Sequence, residues 1–93
     1  MTNFAVLRTS KIIDVSQNNP NGENFTHIGR LVDDLGNPIP NATINITLDY
    51  NNYKFSRTTD ENGLFTVNTA AVTAVLCEYL GDNGIEGCTG RIE

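Results

Sequence analysis

The chain has 93 residues, 39% of them hydrophobic, and its 6 Lys and Arg against 11 Asp and Glu give a formal charge of −5. That length provides for one domain and one core, which buries roughly 60–65% of the extended surface on folding and can stand without a metal or a dense disulfide framework. The acidic balance argues against nucleic acid and an anionic membrane surface as partners, and no apolar run approaches the roughly 18–20 residues that insert across a bilayer.

Period-two alternation runs along the chain, and no stretch sustains a 3.6 period. Residues 1–8 carry no basic region followed by an apolar stretch, so they do not read as a signal peptide. An exported protein would therefore carry this sequence as part of a longer chain. Residues 1–10 are expected to be a linker or tail, and residues 11–93 a single domain. Residues 11–15 read as the first strand and 16–23, rich in Asn, Pro and Gly, as a polar loop. Residues 25–33 form the second strand, with His27, Gly29 and Leu31 on one parity and Arg30 and Val32 on the other. It ends at Asp34-Leu35-Gly36-Asn37-Pro38, a strong breaker cluster.

The clearest strand is 42–50. Ala42, Ile44, Ile46, Leu48 and Tyr50 fall on one face, and Thr43, Asn45, Thr47 and Asp49 on the other, the pattern of an antiparallel strand with one face in water. Asn51-Asn52 breaks it with residues that tolerate positive φ. Residues 53–57 return, with Tyr53 and Phe55 expected inward. Asp60-Glu61-Asn62-Gly63 is a turn, after which Phe65 and Val67 point inward while Leu64, Thr66 and Asn68 point out. Residues 69–72 could be a short helical turn. Strands at 74–80 and 87–92 are joined by Gly81-Asp82-Asn83-Gly84. Seven short strands with turns every 8–12 residues predict an all-β, antiparallel sandwich.

Three segments carry a resemblance. Residues 29–42 hold Gly29-Arg30-Leu31-Val32-Asp33 running into Asp34-Leu35-Gly36-Asn37-Pro38-Ile39. Residues 58–65 read Thr58-Thr59-Asp60-Glu61-Asn62-Gly63-Leu64-Phe65, and Tyr79-Leu80-Gly81-Asp82 follows. In order and spacing these are similar to the Ig-like repeats of bacterial and archaeal surface adhesins of the invasin and intimin type, and to the related carboxypeptidase-regulatory-like modules. The chain departs from them in its cysteine pair and in Asn68-Thr69-Ala70-Ala71. The resemblance implies a seven-stranded Ig-like Greek-key sandwich, non-catalytic, serving as a structural spacer or display domain, often in tandem, on an extracellular cell-surface protein. Its partners would be neighbouring domains of the parent chain. Asp33, Gly36, Pro38, Asp60, Gly63, Gly81 and Asp82 would specify turns: the glycines free the backbone, the proline fixes φ, and the aspartates cap free N–H groups.

Little in the sequence points to chemistry. One histidine, His27, leaves no second chance for a triad, and its parity places it inward or at the sandwich margin. Catalytic residues and cofactors are therefore expected to be none. Cys77 and Cys88 match no common zinc spacing. The acidic pairs Asp33-Asp34 and Asp60-Glu61, and Asp82 with Glu86, lie in loops without the alternating pattern of a calcium loop, and read as turn formers. Gly81-Asp82-Asn83-Gly84 lacks the Lys of a phosphate loop. Lys11 could enter a Lys–Asn isopeptide link, but the last strand offers no Asn.

Tyr50 and Tyr53 form a candidate aromatic patch for a cell-surface glycan or protein ligand. Exposure of those rings would favour a binding module, and burial would favour a spacer; an accessory domain of a secreted enzyme is a third alternative. Three sequons, at Asn24, Asn41 and Asn45, lean towards export. With the last hairpin centred on Asp82-Asn83, Cys77 and Cys88 would be directly opposite and could form a disulfide; two free thiols are the alternative.

Overall fold

The structure is a computed structural model that describes residues 8–16, 25–69, 73–82 and 84–92. Seven strands make two packed sheets: β1 (Ser10–Asp14), β2 (Phe25–Asp33), β3 (Thr43–Leu48), β4 (Tyr53–Thr58), β5 (Leu64–Thr69), β6 (Val75–Asp82) and β7 (Ile85–Ile92). The three-stranded sheet has the order β1-β2-β5 and the four-stranded sheet β4-β3-β6-β7. All pairings within the sheets are antiparallel. The chain is thus an all-β sandwich, as the alternation predicts.

That alternation builds the core. Ile44, Ile46 and Leu48 of β3 and Val75, Cys77 and Tyr79 of β6 are buried against Leu31, Phe65 and Val67 of the facing sheet, with Ile92 closing the stack. Burying each large aliphatic side chain contributes about 1.5–3 kcal/mol. Thr59 is buried among them, and its hydroxyl accepts from the Ala42 N–H (2.9 Å) and donates to the Ile39 carbonyl (2.7 Å). It thereby ties the β4–β5 connection to the β2–β3 connection, satisfying two backbone groups that burial would otherwise leave unpaired.

The strand directions define two poles. At the near pole lie the start of β1, the β2–β3 and β4–β5 turns and the β6–β7 hairpin; at the far pole lie the β3–β4 turn and the end of β7. Because β1 and β7 run side by side in the same direction, Arg8 bridges Ile85 in parallel. The Arg8 N–H donates to the Gly84 carbonyl (2.7 Å), the Glu86 N–H donates to the Arg8 carbonyl (2.7 Å), and the Ser10 hydroxyl donates to the Glu86 carbonyl (2.6 Å). Arg8 and Ser10, expected within a linker, are thus built into the sandwich. They close it on the β1/β7 side, while β4 and β5 remain sheet edges on the other side.

Two expectations are corrected by register. Strand β3 ends at Leu48, and Leu48 pairs with Tyr53 across a four-residue turn, with the Asn52 N–H donating to the Leu48 carbonyl (2.8 Å) and Asn52 at φ 58°. Tyr50 therefore sits in the turn, off the inward face. In the last hairpin Asp82 pairs with Ile85, so only residues 83 and 84 intervene and the register is displaced by two from one centred on Asp82-Asn83. Asn83-Gly84 is the stronger two-residue hairpin signal, because Asn and Gly both accept the positive φ of such a turn. The short helical turn expected at 69–72 falls largely on 70–72, outside the described residues.

Candidate functional site

The turn-specifying residues gather at the near pole. The Oδ1 of Asp33 accepts from the N–H groups of Leu35 and Asn37 (2.9 Å each), and the Oδ1 of Asp60 accepts from those of Asn62 (2.8 Å) and Leu64 (3.0 Å). Gly36 and Gly63 then donate back to the carbonyls of Asp33 and Asp60 (3.0 Å each). Pro38 follows the first turn and bridges Val32, whose outward-parity side chain is buried. Gly81 and Asp82 lie within β6 rather than in a turn. Gly81 adopts φ +92°, and a Cβ there would stand 2.7 Å from the Ile85 carbonyl oxygen, so the close backbone approach requires glycine.

The acidic loops share this pole without forming a metal centre: among the described residues no three His, Cys, Asp or Glu side chains are grouped to hold an ion. The Asp33 carboxylate is committed to backbone caps and to the Arg8 guanidinium, which also bonds Asp34 (3.3 Å). Burial pushes its pKa up, but the N–H groups of Asn37 and Leu35 and the charge of Arg8 outweigh that and leave it below the ordinary value.

His27 is buried, with Nε2 3.1 Å from the Thr69 hydroxyl. Burial lowers its pKa, partly offset by the charge of Asp14. Cys77 and Cys88 are free thiols. Cys77 pairs with Gly90 and Cys88 with Tyr79, so the two cysteines share a face as diagonal neighbours rather than as opposite partners. Diagonal Cα atoms stand roughly 7–8 Å apart, beyond the usual span of a disulfide. The Cys77 thiol donates to the Val75 carbonyl (3.7 Å), and burial, with the charges of Asp14 and Cys88, pushes its pKa up to about 12. Such a thiol is a poor nucleophile at neutral pH.

Tyr50 and Tyr53 are 58% and 60% exposed. Tyr53, Phe55 and Arg57 have the inward parity of β4, standing opposite Leu48, Ile46 and Ile44. The facing sheet is one strand narrower, so β4 overhangs it and the expected burial of Tyr53 fails; Phe55 is half-buried. The rings of Tyr53 and Phe55 are 5.6 Å apart, and the Arg57 guanidinium lies 4.6 Å from the Phe55 centroid. Arg57 also donates to the carbonyls of Thr66 (3.1 Å) and Ser56 (3.0 Å), reaching from one sheet edge to the other.

An open concavity lies on the outer face of the four-stranded sheet, a groove of about 1020 Å³. The alternation marks its residues as outward-facing but carries no sign of a concavity among them.

Comparison with known proteins gives no family model, no curated protein and no solved structure that matches this chain.

Proposed function

We propose that this sandwich is a non-catalytic spacer or display domain of an exported, cell-surface, adhesin-like protein, of the Ig-like kind its turn motifs resemble. The observation that carries the reading is the direction of the first and last strands: β1 begins at the near pole and β7 ends at the far pole. A chain that enters at one pole and leaves at the other strings copies end to end, neighbouring domains being the partners. A non-catalytic role is supported by the state of the reactive groups: His27 is buried against Thr69 and the Cys77 thiol is held protonated.

The test is a chain of three copies joined in tandem, studied by small-angle scattering. Each added copy should lengthen the particle by about 30 Å, the span of an eight- or nine-residue strand. A three-copy particle that grows in width with little gain in length would overturn the reading.

A second reading, a binding module for a glycan or a protein, is favoured by the exposed Tyr50 and Tyr53. Aromatic rings of this kind are common anchors at interfaces. Here a glycan array probed with the wild type and with a Tyr50→Ser/Tyr53→Ser variant should show a signal that the variant loses; equal signals from the two would remove this reading.

A further inference from the structure

The outer-face groove is ordered by the strand register into two rows. One runs Lys54, Thr47, Leu76, Arg91 and the other Ser56, Asn45, Glu78, Thr89, each crossing β4, β3, β6 and β7 in turn. Three strand spacings of about 4.8 Å make each row ~14 Å long. Asn45, Thr47 and Leu76 form a half-buried floor between more exposed walls. We propose that this groove binds a neutral, extended oligosaccharide lying across the four strands.

Three observations select that ligand. First, the hydrogen-bonding capacity of the groove is unspent. The side chains of Asn45, Thr47, Lys54, Ser56, Glu78 and Thr89 make no hydrogen bond or ion pair with the described residues. Four of the six carry a hydroxyl or amide, which both donates and accepts, as sugar hydroxyls do. Second, the charges balance. Lys54 and Arg91 at the ends of one row are matched by Glu78 in the other and by Asp49, whose carboxylate is 3.8 Å from Arg91. A balanced groove has no net attraction for a phosphate or an acidic peptide. Third, β3 and β6 are each paired on both sides, so the floor offers side chains alone and no free backbone edge. A peptide added as a strand has nothing to pair with there, whereas Leu76 supplies an apolar contact for a ring face. This site is separate from the tyrosine patch and does not depend on end-to-end stacking.

The test is a titration of the ¹⁵N-labelled protein with maltotriose, cellotriose, chitotriose and mannotriose. At least one should give saturable amide shifts centred on residues 45–47, 54–56, 76–78 and 89–91, with a Kd of about 1 mM or tighter. The Thr47→Val/Thr89→Val variant keeps β-branched side chains on both strands and removes two hydroxyls. It should melt as the wild type does and bind about tenfold more weakly. The Tyr50→Ser/Tyr53→Ser variant should bind as the wild type does. Absence of saturable shifts with all four sugars, an unweakened Thr47→Val/Thr89→Val variant, or binding that follows the tyrosines would overturn the proposal. So would a glycan found by mass spectrometry on Asn45 of the native protein, since Asn45 heads a sequon and an attached sugar would fill the groove itself.

Discussion

The turns at residues 33–37 and 60–64 are near copies, both D-x-x-G-x, and both close with the same arrangement. An Asp Oδ1 accepts from the N–H groups two and four residues on, the Gly N–H donates to the Asp carbonyl, and the Asp N–H donates to the carbonyl of the last residue. Their surroundings differ. Gly36 has open space where a Cβ would go, whereas a Cβ on Gly63 would stand 2.5 Å from the Leu31 carbonyl oxygen and 3.1 Å from Pro38. Asp33 is buried and paired with Arg8, and Asp60 is exposed. One local motif is thus held by its surroundings at the aspartate in the first copy and at the glycine in the second. The cost of changing it is set by the neighbours, which the motif does not encode.

The glycines give the largest expected contrast. Both hold positive φ, +84° at Gly36 and +74° at Gly63, so alanine costs about 1–2 kcal/mol at either for backbone strain alone. At Gly63 the clash adds to that, and Gly63→Ala should lose at least 3 kcal/mol in total or fail to fold. Urea unfolding of the two variants measures the gap; equal losses would erase the distinction between the turns. The aspartates come next. Asp60→Ala removes the caps made by an exposed side chain and should cost about 1–2 kcal/mol. Asp33→Ala removes the same caps and also leaves Arg8 with Asp34 alone, so its urea midpoint should fall further than that of Asp60→Ala. Arg8→Ala isolates the difference between the two: it leaves both capping schemes in place and should cost ~1 kcal/mol, read from the same urea curves.

The smallest effect is in pH. The folded-state pKa of Asp33 lies below its unfolded value, so its contribution is present above the ordinary carboxylate range and lost as pH falls through the folded pKa. Between about pH 5 and pH 2, the Asp33→Asn variant should lose less stability than the wild type, and Arg8→Ala should fall between them. Thermal melts across that range would show it; parallel acid limbs for all three proteins would contradict it.

Much of the fold was legible because it rests on local chemistry. Ile44, Ile46 and Leu48 announce their strand by parity, β2 begins and ends where its breakers stand, and the two D-x-x-G turns fall where Asp and Gly place them. What was not legible depends on counting across distances. Centring the last hairpin one residue early sets Cys77 and Cys88 opposite each other, and in an antiparallel ladder that displaces every pair by two. Tyr53 has the parity of a core residue, and only the narrower facing sheet leaves it in solvent. Arg8 sits in no strand pattern of its own, because its partners at Gly84 and Glu86 are more than seventy residues away. The groove of Asn45, Thr47 and Glu78 reads in sequence as an ordinary wet face.

The overhang of β4 leaves two strand edges, of β4 and β5, that no other described strand pairs, facing the same direction, an arrangement that invites other chains to add on as strands. Arg57 stands in that opening, holding the carbonyls of Thr66 and Ser56 that an incoming strand would need and presenting a charge to it. Its side chain acts as a guard against edge-to-edge polymerisation. On the reading proposed above, copies displayed at high local concentration would meet through these edges, and such a guard would bear on solubility as the core does on folding.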